Sequence, residues 1–367
     1  MNATRDKRTI DKRLDEVRKL AAALPSPVRI MEVCGTHTMA LHKSGLKPRL
    51  EEAGVEMVSG PGCPVCITPD AIHEAAIDLV TSREDLILAT FGDMTRVPTR
   101  KGSLRDAVPA PGSRVRIVYS PEEALDAARK DPEKEVVFFG AGFETTIPGI
   151  AYTARRAFEE DIRNYSVLTA LWLIPPAIRA ILEAGECAVT GFIYPGHVSA
   201  IIGEAPYAFV AKEYGVPGAI AGFEPPEMLN GVLSILGQAK DGVPGVANEY
   251  RRVVRPEGNP VARALMDAAL EAKDAVWRGL GMIPKSGLKL RSRYSAFDAG
   301  IKYGLDTDRT VREAPGCRCG EVLRGVIRPT NCRLFGKRCT PDSPLGPCMV
   351  SYEGACLISH KYGRSGA

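Results

Sequence analysis

The chain has 367 residues, of which 45% are hydrophobic and 25% charged, and its formal net charge is +4. That balance describes a globular protein long enough for two or three domains. Arg and Lys stand beside Asp and Glu almost throughout, which argues against a nucleic-acid partner, and no apolar run reaches membrane-spanning length. The N-terminus is charged and has no apolar signal region, so a cytoplasmic location is expected. In a reducing compartment the ten cysteines point to metal or redox duty and not to structural disulfides.

Residues 5–24 place Ile10, Leu14, Val17, Leu20 and Ala21 at helical spacing, and Pro25 and Pro27 end that helix. Val28–Val33 reads as a short strand, and Cys34-Gly-Thr-His-Thr38 follows at its C-terminal end, where open α/β sheets bind ligands. His37 lies close to Cys34, and Thr36 is a candidate cap for the helix that follows. Val55–Ser59 reads as the next strand and leads into Gly60-Pro-Gly-Cys-Pro-Val-Cys66. Thr68 is a natural N-cap and Pro69 a natural first helical residue, with Ile72, Ala75, Ala76, Leu79 and Val80 at helical spacing behind them. Thiols just ahead of a helix N-terminus tend toward the thiolate, so Cys63 and Cys66 suit a reversible disulfide or a soft metal. The same spacing also suits half of a structural zinc site.

Leu86–Phe91 and Val115–Tyr119 read as further strands, and Ser120-Pro-Glu-Glu123 as a capping box. A second set of alternations begins near Glu135. Val136–Phe139 ends in Gly140-Ala-Gly-Phe-Glu-Thr-Thr146, and Val167–Leu173, Val189–Ile193 and Ala219–Ala221 are strands, with a helix over 227–238. Strands alternating with helices predict parallel sheets covered on both faces. The pair Gly140 and Gly142 lacks the third glycine of a dinucleotide fingerprint. Glu144 reads either as a polar site wall or as a helix cap. His197 reads as a ligand, a proton donor or a turn residue, whereas His42, His73 and His360 read as surface residues. Residues 259–277 are expected to be helical and 283–300 loop-rich.

From Pro315 onward the chain carries six cysteines among many Gly and Pro residues, a segment that needs a metal or cluster to fold around. Four stand out, Cys317, Cys332, Cys339 and Cys356, with 14, 6 and 16 residues between them. Four thiolates at such gaps suit a [4Fe–4S] cluster or zinc, and the lack of paired C-x₂-C knuckles in this tail favours the cluster. Cys319 is expected to face away from its neighbour, and Cys348 and Cys187 to be plain buried thiols. The expected organisation is an α/β domain over 27–132, a second of similar topology over 133–250, and a helical, loop-rich iron–sulfur domain from 1–26 and 251–367.

Taken in order, Cys34-Gly-Thr-His-Thr38, Gly60-Pro-Gly-Cys-Pro-Val-Cys66, Gly142-Phe-Glu-Thr-Thr146, Pro195-Gly-His-Val-Ser199 and the four-cysteine tail resemble the HypD family of hydrogenase maturation factors. The resemblance runs from about residue 28 to 358, and its ordered set of motifs is specific where each motif alone is weak. It implies a redox-active scaffold on which the Fe(CN)₂CO unit of [NiFe]-hydrogenase is assembled with HypC, with cyanide delivered by HypE. By the same resemblance Cys34 holds the iron, Cys63 and Cys66 form the redox pair, and Cys317, Cys332, Cys339 and Cys356 hold a [4Fe–4S] cluster. His37 and Glu144 join the catalytic set. Two other readings stay open: a cluster-dependent disulfide reductase, which does not need Cys34, and a zinc-stabilised adaptor, which needs only the tail.

Overall fold

Eleven strands form among the described residues, and their order in space departs from their order in the chain. The computed structural model describes residues 7–25, 27–108, 114–307, 309 and 314–363. The strands are β1 (Val28–Glu32), β2 (Val55–Ser59), β3 (Leu86–Thr90), β4 (Val115–Ile117), β5 (Glu135–Gly142) and β6 (Tyr165–Trp172). They continue with β7 (Gly191–Pro195), β8 (Gly218–Ala221), β9 (Val246–Asn248), β10 (Leu270–Trp277) and β11 (Gly281–Leu290). One sheet runs β2-β1-β7-β8-β9 and is parallel throughout. The other runs β10-β11-β6-β5-β3-β4, parallel from β4 to β6 and closed on one side by the antiparallel hairpin β10–β11. The α/β class with parallel-dominated sheets is therefore as the alternation predicts.

Three apolar layers hold the molecule together. Helices Lys7–Ala22, Leu46–Glu52 and Pro225–Asp241 cover one face of the five-stranded sheet through Leu14, Val17, Leu50, Val232 and Leu236, against Ile30 and Val55. Helices Pro121–Lys130, Ile147–Glu159 and Pro260–Ala269 cover one face of the six-stranded sheet around Phe138, Ile150 and Ala154. The largest layer lies between the sheets. Alternate residues of β1 (Met31) and β7 (Phe192, Tyr194) meet those of β5 (Val137, Phe139) and β6 (Leu168, Trp172) across the helix Asp70–Ser82 and the C-terminal cysteine segment. Period-two alternation sends successive side chains of each strand into different layers, which is why both faces of these sheets are buried.

The sheets do not divide the chain at residues 132 and 133. The strands of 27–132 split between them: β1 and β2 pair within one sheet with β7, while β3 and β4 join β5 and β6 in the other. Nor does the tail stand apart, since β10 and β11 extend the six-stranded sheet and Lys7–Ala22 covers the five-stranded one. The expected helix over 259–277 stops at Ala269, and Leu270–Trp277 is a strand paired with Gly281–Leu290. Its local composition is helix-forming, and tertiary pairing to β11 overrides it. Residues 5 and 6 of the expected first helix lie outside the described residues.

Candidate functional site

Strands β1 and β2 are parallel neighbours in register from Val28–Val55 to Glu32–Ser59, so their exit loops emerge side by side. The first carries Cys34, the N-cap of the helix Gly35–Lys43, and the second carries Cys63 and Cys66. The Gly35 N–H donates to the Gly62 carbonyl at 3.0 Å. Gly62 itself presses on the other loop so closely that a Cβ there would stand 2.3 Å from the Cys34 nitrogen. Beneath both loops sits Glu32, which accepts hydrogen bonds from Thr38 Oγ1 and Ser59 Oγ at 2.8 Å each. Burial pushes its carboxyl up to about 7, against the pull of Lys47 and those hydroxyls.

Cys63 and Cys66 form a disulfide, and both are buried, at 2% and 0% exposure. The capping differs from the expected pattern. Cys63 is the N-cap of a four-residue helix, Pro64–Ile67, and its sulfur accepts the Cys66 N–H at 3.1 Å. Thr68 ends that turn, and Pro69, not Thr68, is the N-cap of Asp70–Ser82. A pair of prolines five residues apart admits two helical starts, and the first is the short turn holding the pair.

Cys34 is a free, half-buried thiol. Burial pushes it up to about 12, and the nearby Glu353 carboxyl adds to the effect. Glu353 comes from the C-terminal segment and packs so tightly on Gly35 that a Cβ on the glycine would lie 2.4 Å from Glu353 Cβ. Thr36 does not cap its helix; it donates to Glu353 Oε1 at 3.1 Å. The β3 exit holds the other side of this segment, Arg96 donating to the Val350 carbonyl at 3.2 Å and Asp93 accepting the Tyr352 N–H at 3.1 Å.

His37 is buried against the β8 exit. Its Nε2 lies 3.2 Å from the Ala221 carbonyl and 3.0 Å from that of Gly222, so this nitrogen carries the proton and Nδ1 keeps a lone pair with no partner. Burial lowers its pKa to about 4, which keeps it neutral. Phe223 lies between the rings of His37 and His197, at 4.5 and 4.1 Å. Glu144 arrives from the β5 exit and is 1% exposed, its Oε1 accepting the Ile174 N–H at 3.0 Å and its Oε2 without a partner. Burial raises it to about 7, so this carboxyl holds or loses a proton near neutrality. Tyr207 has a buried phenol that feels both Glu144 and Cys34, and it stacks on Tyr194 at 4.2 Å. Gly140 and Gly142 lie in strand β5, paired with β6, so they form no nucleotide loop.

The C-terminal cysteines converge. A tight turn over Cys332–Cys339, with Gly336 at φ 66°, brings these two together, and the Cys339 sulfur accepts the Leu345 N–H at 3.4 Å. Cys339 feels the charges of Cys317 and Cys332, and Cys356 feels that of Cys317, which places all four expected ligands in one neighbourhood. Gly346 lines it so closely that a Cβ there would lie 2.8 Å from the sulfurs of both Cys317 and Cys319. This gathered set of soft sulfur donors, protonated here, beside an N–H donor and a side-chain-free wall fits an iron–sulfur cluster. Among the described residues no three His, Cys, Asp or Glu side chains stand in a ready-made metal arrangement. Cys319 does not face away, because its sulfur borders Gly346 at the same point as that of Cys317 and its thiol feels Cys317, Cys348 and Cys356. Cys348 belongs to the same group, and Gly354 allows this by lying where a Cβ would come 2.3 Å from the Cys348 carbonyl oxygen. Cys187 is buried, as expected, and donates to the Gly325 carbonyl at 3.4 Å.

A family model, HypD, with the description "Hydrogenase formation hypA family", matches residues 8–363. The hydrogenase maturation factor HypD of Rhodobacter capsulatus is 45% identical over 358 residues, covering 95% of this chain and 94% of its own. HypD of Escherichia coli strain K12 is 43% identical over 337 residues, covering 92% and 89%. HypD2 of Bradyrhizobium diazoefficiens is 44% identical over 345 residues, covering 92% and 90%. The chain belongs to the HypD family. HypD proteins are hydrogenase maturation factors by these names, and no helix among the described residues is long and apolar enough to cross a membrane. Beyond the motifs, this HypD chain brings Glu353, Tyr194, Tyr207 and Phe223 to the site. No local pattern marks them, because they come from separate elements. His73, expected at the surface, is 1% exposed, since its helix face meets Phe139 and not water.

Proposed function

We propose that the chain is a redox-active scaffold of [NiFe]-hydrogenase maturation, on which the Fe(CN)₂CO unit is assembled with HypC and receives cyanide from HypE. The observation that carries this reading is the contact between the β1 and β2 exit loops, Gly35 N–H on Gly62 O with no room for a side chain at Gly62. It brings the loop of the free thiol Cys34 beside the loop of the Cys63–Cys66 disulfide, which supports a metal ligand and a redox pair serving one place. Iron is the cargo. Cys34 takes it up as a thiolate, so loading displaces the proton that burial and Glu353 hold on that sulfur.

Cyanide release from a thiocyanate-type carrier consumes two electrons. With the pair reduced, one thiolate attacks the carrier sulfur, cyanide leaves, and the second thiol displaces the carrier. Two protein thiols and one R–S–CN thus become the Cys63–Cys66 disulfide, R–SH and HCN. The disulfide state is therefore the spent form. Cys317, Cys332, Cys339 and Cys356 would hold a [4Fe–4S] cluster, which when bound supplies electrons one at a time. Glu144, raised to about 7, would take and return protons, while neutral His37 would offer its unpartnered Nδ1 as a hydrogen-bond acceptor.

Infrared spectra of anaerobically purified chain with HypC test the reading. Wild type shows cyanide and carbonyl stretches. Cys34→Ala loses both while keeping its iron–sulfur absorbance. Cys63→Ala retains some iron but shows no cyanide bands. Full-strength cyanide and carbonyl bands in Cys34→Ala would overturn the assignment.

A further inference from the structure

We propose that Arg278, in the turn between β10 and β11, is a positioning residue that locks the Cys63–Cys66 loop shut and so sets how readily the pair is reduced. This rests on the redox reading of that pair. The turn reaches the loop with two groups. The Arg278 backbone N–H donates to the Ile67 carbonyl at 2.8 Å, at the end of the short helix that holds both cysteines. Its guanidinium forms an ion pair with Asp70, the first residue of the next helix, with side-chain exposures of only 2% and 6%. The loop between these anchors is fixed from below as well. Thr68 Oγ1 donates to the Pro64 carbonyl at 2.8 Å and accepts Trp172 Nε1–H at 3.3 Å, and Trp172 packs edge-on against Trp277, the neighbour of Arg278.

The other side of the same turn touches the cysteine-rich segment. Gly279, at φ +78°, lies where a Cβ would come 2.3 Å from Gly320 Cα, and the Arg324 guanidinium donates to the Gly279 carbonyl. The turn is thus wedged between Cys63–Asp70 and Cys317–Arg324. Both sulfurs of the disulfide are buried, so a soluble reductant reaches them only through local opening. Opening means drawing Ile67 and Asp70 away from Arg278, which separates a buried ion pair.

The experiment uses the full-length oxidised chain, dithiothreitol as reductant and a mass tag to count freed Cys63 and Cys66. Each event oxidises one dithiothreitol to its cyclic disulfide and leaves two thiols. Arg278→Met and Asp70→Asn should speed reduction by about tenfold or more, because either removes the buried counter-charge. Arg278→Lys retains a basic group but not the planar guanidinium, and its reduction rate should fall between wild type and Arg278→Met. The double variant Asp70→Asn/Arg278→Met removes both charges of this pair and should still reduce fast, with circular dichroism showing that it remains folded. Amide hydrogen exchange across β5 serves as the reference for whole-molecule opening and should not change. Unchanged reduction in the folded double variant, or exchange in β5 that rises in step with reduction, overturns the lock alone. A pair that dithiothreitol reduces neither in wild type nor in Arg278→Met overturns the redox reading and the lock with it.

Discussion

A methyl group on Gly62 would stand 2.3 Å from the Cys34 nitrogen and 2.4 Å from its Cα, against backbone that has no rotamer to change. Either loop must then move. Gly62→Ala should lower stability by about 1–3 kcal/mol, the usual range for overpacking, in chemical denaturation. It should also cut iron retention in the HypC complex as Cys34→Ala does, while Cys63 and Cys66 still oxidise to the disulfide. Retention at the wild-type level would mean that the contact between the loops does not hold Cys34 in place. The motif cysteines were legible from their neighbours in sequence, and so was Glu144 as a polar group at a strand exit. The need for glycine at position 62 was not, because the atoms it must avoid lie 28 residues away at Cys34. His73 was misread for a similar reason. Asp70, His73 and Glu74 lie close together on one helix and look like a solvated face, yet they meet Arg278, Phe139 and Arg309 inside the molecule.

At the scale of elements, the segment from Gly346 to Cys356 carries three connections at once. Gly346 borders the sulfurs of Cys317 and Cys319, Glu353 covers Gly35 beside Cys34, and Val350 and Tyr352 are held by the β3 exit. A cluster held by Cys317, Cys332, Cys339 and Cys356 would therefore be tied through one short stretch of backbone to Cys34, the proposed iron ligand. Gly346→Ala should push its methyl toward two sulfurs and reduce the iron and sulfide bound per chain on anaerobic reconstitution. Serine at any of the four cysteines should abolish the brown colour and loosen this segment to proteolysis. Uptake of one zinc and no iron by the wild-type tail would sink the cluster assignment. The spacing of the four cysteines was readable, but the company of Cys319 and Cys348 was not, because it depends on the Pro347–Met349 turn packing beneath Gly354. The β10–β11 hairpin was hidden too. Leu270–Trp277 contains Glu, Ala and Lys, which favour a helix, and only its partner strand makes it extended.

The whole molecule is two sheets whose strands interleave along the chain, and no local signal could have shown that β1 pairs with β7 or that β3 pairs with β5. Strand existence follows from local alternation, whereas pairing is settled by the global burial of both faces. That burial has a price at the titratable groups enclosed between the layers, and it makes stability depend on pH in two opposed ways. His37, lowered to about 4, and His73, lowered to about 3, bind protons more weakly folded than unfolded, and so does half-buried His42 at the end of its helix. Their contribution is complete above the ordinary histidine value of about 6.5 and is lost as pH falls toward 4 and below. Glu32 and Glu144, raised to about 7, bind protons more tightly folded than unfolded. Their contribution is complete below about 4.5 and is lost as pH rises through 7. Glu144→Gln isolates one of these effects. Glutamine keeps an oxygen to accept the Ile174 N–H but carries no charge at any pH. Moving a carboxyl from 4.5 to about 7 corresponds to about 3 kcal/mol. The variant should therefore gain stability relative to wild type as pH rises from 4.5 to 8, by about 3 kcal/mol over that interval, in paired denaturant titrations. Glu32 and the histidines are common to both chains and cancel in the difference. A difference that stays flat across the interval would mean that Glu144 is ionised as readily in the folded chain as in the unfolded one, and it would remove this carboxyl as a group poised to exchange a proton near neutrality.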